Sequence, residues 1–146
     1  MTSAGMAAGG GPRWRVPGGW LEEDPRPGTV ATFQVSGEGG RSGEVVVVVL
    51  GGDGGGVRAN LNWWRREAGL PALPDGAVAS VVESVWGNQA NFSLVRVAGP
   101  RGSSMVAWTR RDEGTWFFRL TGPAVVVEGH RKGFAQFLRS VVFADH

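Results

Sequence analysis

The sequence predicts an α+β domain: an antiparallel sheet of about six strands flanked by helices. Three observations carry this. Short β-branched or alternating runs recur between Gly-rich turns, as sheet strands do. The stretch 57–68 instead repeats its apolar residues with helical spacing. The runs fall in the order β-β-β-α-(α)-β-β-β-α, which suits an antiparallel sheet with helices packed on it.

Residues 1–12 are small, uncharged and Gly-rich, the composition of a flexible arm, and the domain proper is expected over 13–146. Trp14-Arg15-Val16-Pro17 and Trp20 read as an extended lead-in with a turn at Pro17-Gly18-Gly19. Glu22 to Gly28 is polar and Pro-rich and reads as a loop. Thr29 to Val35 alternates as a half-buried strand does. Glu44 to Leu50 is a continuous β-branched run, expected to be a central strand covered on both faces. A Gly-rich loop, 51–56, leads into a helix on which Val57, Leu61, Trp64 and Ala68 form one buried stripe. Arg58, Arg65 and Arg66 lie off that stripe, and so does Trp63. Gly69 is the C′ stop, Leu70 packs back, and Pro71 prevents continuation.

Pro74 to Glu83 reads as a second short helix with Val78, Val81 and Val82 inward. A turn at 87–91 precedes a strand over Phe92–Ala98. Met105–Arg110 and Thr115–Thr121 form a β-hairpin around Arg111-Asp112-Glu113-Gly114. Gly122-Pro123 opens a last helix, roughly Ala124 to Arg139, weakened by Gly129 and Gly133.

The chain has 146 residues, no Cys and two His, His130 and His146. Disulfides, thiolate catalysis, Cys-ligated metals and multi-histidine metal sites are therefore excluded. The isoelectric point near 10.4 suggests a nucleic-acid-binding surface, yet the net charge is only +2. Tyr and Cys are absent and all basic residues but Lys132 are Arg, so no phenol or thiol titrates and the net charge stays slightly positive until very high pH. Nucleic-acid binding would need Arg58, Arg65, Arg66, Arg110 and Arg111 on one face. The N-terminus has no basic n-region or apolar h-region, and no run is long enough to span a membrane. As written, the chain is expected to be soluble and cytoplasmic.

The catalytic motifs fail one by one. Gly51 and Gly56 have phosphate-loop spacing, but Val57 and Arg58 stand where Lys and Ser/Thr belong. Asp53 is one carboxylate among glycines, short of a calcium site. His130 lacks a nucleophile and an orienting partner, and beside Arg131 and Lys132 it reads as part of a solvated helix face. Glu22-Glu23-Asp24 and Asp112-Glu113 read as solvated turns. No enzyme, cofactor or metal is expected.

The seven tryptophans are the unusual investment, divided between filling a Tyr-free core and forming an interface. Trp63 with Arg66, and the hairpin tip Arg110, Arg111, Asp112 and Glu113, are the expected partner-binding residues.

Three stretches together carry a resemblance: the entry Trp14-Arg15-Val16-Pro17-Gly18-Gly19-Trp20, the helix from Ala59 to Pro71 with Asn62-Trp63-Trp64-Arg65-Arg66-Glu67-Ala68-Gly69-Leu70-Pro71, and Gly114 to Pro123 with Trp116-Phe117-Phe118-Arg119-Leu120-Thr121-Gly122-Pro123, running into a helix with Phe134 and Phe137. The latter two are similar to the N-x-W-R-x-x-x-G-L-P helix and W-F-x-K-L-x-G-P hairpin of small uncharacterised bacterial proteins, often lipoproteins or secreted. That family in turn resembles the PsbP-like fold, shared by the photosystem II extrinsic protein and a Ran-binding nuclear import factor. The resemblance covers about residues 14–143 and transfers no catalytic residue. It implies an α-β-α sandwich that binds other proteins as an accessory or assembly subunit of a larger, membrane-bound complex, photosynthetic or respiratory. It also implies a periplasmic location or peripheral membrane association through the partner. The alternative is a small-molecule carrier or small enzyme using a cleft between sheet and helices.

Overall fold

The computed structural model describes residues 12–74 and 76–143. The flexible-arm reading of the first residues therefore falls, up to residue 11, outside the described chain; Pro12 is buried. Seven strands form one antiparallel sheet: β1 (Trp20–Glu23), β2 (Ala31–Ser36), β3 (Ser42–Leu50), β4 (Glu83–Trp86), β5 (Asn91–Gly99), β6 (Gly102–Arg111) and β7 (Gly114–Gly122). Two meanders, β1-β2-β3 and β4-β5-β6-β7, join by pairing β3 with β7. The segment between β3 and β4 carries α1 (Val57–Glu67) and the single turn α2 (Val78–Val81) across one face. After β7, α3 (Ala124–Gly129) and α4 (Arg131–Ser140) cover the other.

Strand alternation sorts the core into two halves. On the α4 side, Trp14, Trp20, Phe33, Phe118, Phe134 and Phe137 pack with Val45, Val47, Leu120 and Leu138. On the α1 side, Leu61, Trp64 and Ala68 pack on Val95, Val97, Val106 and Phe117.

The structure corrects several expectations. The first strand is not the lead-in at Trp14 but Trp20–Glu23, which runs from the end of the expected lead-in into the stretch expected to be a loop. Its acidic residues sit on an edge strand, where charge deters further pairing. Burial pushes the Glu22 carboxyl above its usual range. The second edge strand, β4, takes the end of the expected helix over Pro74–Glu83, and only one turn of that helix forms. Val78, Val81 and Val82 do face inward.

The last helix is two. It breaks at His130 (φ −103, ψ 10), and the break aims the imidazole at the sheet rather than at solvent. Trp20 Nε1–H donates to His130 Nδ1 at 3.3 Å, and His130 Nε2 lies 2.6 Å from the Ser36 carbonyl. An indole N–H only donates, so Nδ1 accepts and the Nε2–H donates to Ser36. His130 thus ties α3 and α4 to β1 and β2. His130→Ala orphans the Trp20 N–H and is expected to cost about 1–3 kcal/mol, read from urea unfolding midpoints.

Candidate functional site

The α1 face carries the site. Its Gly-rich approach loop folds on itself. Asp53 Oδ1 accepts the Gly55 N–H (3.0 Å), Asn60 Nδ2 donates to the Gly54 carbonyl (2.8 Å), and Thr115 Oγ1 donates to the Gly52 carbonyl (2.8 Å). At the other end, Gly69 adopts φ +87, and Leu70 N–H bonds to the Arg65 carbonyl (2.8 Å) while Gly69 N–H bonds to that of Arg66 (3.0 Å). This is the Schellman pattern that Gly69-Leu70-Pro71 implied. The Ala68 carbonyl accepts the Arg101 N–H (2.9 Å), docking the helix end on the β5–β6 turn.

Gly99 makes that docking possible, because a Cβ there would run into the Ala68 carbonyl oxygen. Gly99→Ala is expected to shift the last turn of α1 and cost about 1–3 kcal/mol in thermal unfolding, with changed emission from the α1 tryptophans.

So fixed, α1 buries Leu61, Trp64 and Ala68, whereas Val57, on the same expected stripe, is 39% exposed at the first turn. Trp63 is 52% exposed, and the Arg66 guanidinium lies 5.7 Å from its ring centroid, one helical turn away. This is cation–π range, and the pair forms a rigid, amphipathic knob.

Beside the knob the sheet is incompletely covered. α1 sits over β5 to β7, and the outer side chains of β3 (Val46, Val48 and Leu50) stay partly open. The expectation that β3 is covered on both faces holds for its α4 side only. Between α1 and β3 runs a cleft of about 320 Å³, floored by Val46, Val48, Val106 and Phe117 and walled by Trp63 and Trp64. That volume lies at the low end of small-ligand sites. Arg119 of β7 stands in it, its Nη2 2.6 Å from Glu67 Oε1, with its Nε buried and unpartnered. Arg119 also lines a shallower groove of about 630 Å³ along residues 99–104 and 121–124. Glu44, at the cleft, pairs with Arg26 at 3.1 Å.

Strand alternation splits the hairpin-tip residues. Arg110 projects to the α1 face with Trp108, whereas Arg111 projects to the other face, its guanidinium 4.2 Å from the Phe143 ring centroid. Glu113 accepts the Trp116 indole N–H at 2.7 Å, and Asp112 is exposed in the turn. The structure therefore brings Trp63 and Arg66 together but does not gather Arg110, Arg111, Asp112 and Glu113 into one surface. The five arginines that nucleic-acid binding requires do not share a face either. The sequence reading missed Val46, Val48, Leu50 and Arg119. Arg119, polar between Phe118 and Leu120, was the available signal of a half-open face.

Among the described residues, no three His, Asp or Glu side chains gather to hold a metal ion. No described helix is long and apolar enough to cross a membrane.

With this geometry in hand, solved structures offer a match. The solution structure of cyanobacterial PsbP (CyanoP) from Synechocystis sp. PCC 6803 superposes with a TM-score of 0.52 over 91% of this chain and 86% of that one. The fold is PsbP-like. Identity is 14%, so the likeness is of fold alone. A crystal structure from Bacteroides thetaiotaomicron VPI-5482 matches with a TM-score of 0.53 at 9% identity, over 92% of this chain. The match covers 46%, under half, of that protein. No family model matches the chain, and no curated protein does.

Proposed function

We propose that this chain is a non-catalytic protein-binding module, an accessory or assembly subunit of a larger complex, photosynthetic or respiratory. The observation that carries the reading is the Trp63–Arg66 knob beside an open apolar cleft. Trp and Arg are the residues on which interface energy concentrates, and an adjoining groove can take a partner's apolar side chain. The PsbP-like fold agrees with an extrinsic, accessory role. Catalysis has little support, because His130 is spent bridging Trp20 and Ser36, and Glu67 is held by Arg119. Isolation of the tagged chain from its native source, with quantitative mass spectrometry, is expected to recover a stoichiometric protein partner. Recovery of the chain alone as a monomer overturns the reading.

The cleft itself favours a second reading, a carrier for a small apolar molecule. In that case native mass spectrometry shows a retained small molecule, and no protein partner is found.

A further inference from the structure

On the α4 side of the sheet, away from Trp63, lies a shallow depression of about 610 Å³ built from the lead-in, the last turn of α4 and the β4–β5 turn. Three arginines line it, Arg13, Arg15 and Arg139, and among the described residues no carboxylate does. Elsewhere most arginines are engaged, although Arg41, Arg101 and Arg110 also have no ion pair among the described residues. Arg26, Arg96, Arg119 and Arg131 each pair with a glutamate, and Arg66 and Arg111 each lie over a ring. Arg13, Arg15 and Arg139 are exposed, and among the described residues their guanidinium groups have no ion pair.

The chain itself explains their convergence. Trp14 is buried, so Arg13 and Arg15 emerge on the same outer side, about 6–7 Å apart along an extended backbone. Arg13 is bridged to Val142, and Arg15 N–H bonds to Ser140 Oγ at 2.8 Å. Both bonds hold the lead-in against the end of α4, where Arg139 sits. Trp14 also lines the depression, and its indole N–H is buried with no partner among the described residues.

A structural duty would be to cap the carbonyls of the last turn of α4, where cations are favoured. Three of those carbonyls are already taken. Phe137 O accepts from Ser140 Oγ (2.7 Å), Leu138 O from Val141 N–H (3.2 Å), and Arg139 O from Asn88 N–H (3.0 Å). The arginines are left over from the fold's own bonding.

We infer that this depression binds a phosphate group. Planar guanidinium forks pair bidentately with tetrahedral oxyanions, and three of them suit a group bearing several oxygens and more than one charge. Two sources carry that chemistry, a soluble phosphate and the headgroup of an anionic phospholipid.

The test uses the full chain labelled with ¹⁵N. Inorganic phosphate and pyrophosphate are titrated against chloride at constant ionic strength while the Trp14 indole signal is followed. In parallel, the chain is sedimented with vesicles of phosphatidylglycerol and phosphatidylcholine, and with phosphatidylcholine alone. A saturable shift with the phosphates but not with chloride supports a soluble ligand. Binding confined to the phosphatidylglycerol vesicles supports the headgroup. In either case Arg15→Gln or Arg139→Gln is expected to weaken binding about tenfold, at an unchanged thermal midpoint, and Arg→Lys at the same positions to restore part of it. Three results overturn the inference: no response in either arm, an equal response to chloride, or binding unchanged in Arg13→Gln/Arg15→Gln/Arg139→Gln. Trp63→Ala, on the other face, is expected to leave the phosphate response intact, so failure here and failure of the docking reading are separable.

Discussion

Phe137→Ala is expected to lower stability by about 3–5 kcal/mol, the largest effect of any single truncation considered. Phe137 is fully buried, and its ring lies 5.0 Å from Trp20, 5.3 Å from Trp14, 5.5 Å from Phe33 and 6.0 Å from Phe118, centroid to centroid. One side chain on α4 thus contacts the lead-in, β1, β2 and β7. Removing it deletes the transfer energy of a large ring, several tilted or edge-on aromatic contacts, and the filling of a space that these large rings cannot readily close. Against a total stability of roughly 5–15 kcal/mol, the loss leaves the domain marginal. The check is the urea midpoint at unchanged slope, with a fall in thermal midpoint of roughly 10 °C or more. Phe137→Leu should recover much of the difference. A loss under about 1 kcal/mol for the alanine variant would mean that α4 does not pack on the sheet as described.

The elements legible in the sequence are those whose signal is local. Gly69-Leu70-Pro71 specifies a helix end through φ > 0 and the missing Pro N–H, and the structure ends α1 there. The β6–β7 hairpin and the valine run of β3 announce themselves by length and composition. The misread elements carry no periodic signal of their own. β1 and β4 are four-residue edge strands, too short to show a period, and exist because a neighbour offers pairing. Val78, Val81, Val82 and Val85 fit a helical spacing as well as a turn followed by a strand.

His130 looked solvated because its sequence neighbours are Arg131 and Lys132. Its actual partners, Ser36 and Trp20, are 94 and 110 residues away. The same division holds for the site. That Trp63 lies off the buried stripe follows from a 100° step per residue. That a cleft opens beside it depends on how far α1 reaches across β3, which no local pattern encodes. Val57 likewise lies on the stripe by helical phase yet is exposed at the first turn, which no local pattern encodes.

Trp63→Ala is expected to abolish most partner association while leaving the fold nearly as stable. Trp63 is half exposed and contributes little to either buried cluster, so its truncation should cost under about 1 kcal/mol in urea unfolding. At a binding surface the same ring is worth more. It is held by α1, stacked by Arg66 and set at the rim of an apolar cleft, so little entropy is lost when a partner covers it. A hot-spot truncation costs about 2 kcal/mol or more, which is about thirtyfold in affinity. The measurement is the fraction of tagged variant recovered with its partner, alongside the unfolding midpoint of the isolated chain. Arg66→Ala should weaken association less, and the double variant should fall short of the sum of the two, because the guanidinium acts through the ring it covers. Trp86→Ala is the control for generic stickiness, since Trp86 is 70% exposed on an edge strand and belongs to neither the knob nor the cleft. If both tryptophan variants reduce association alike, adhesion of exposed rings explains the binding and the α1 surface is not the docking site. If Trp63→Ala instead unfolds the isolated domain, the ring is part of the core and the docking surface lies elsewhere.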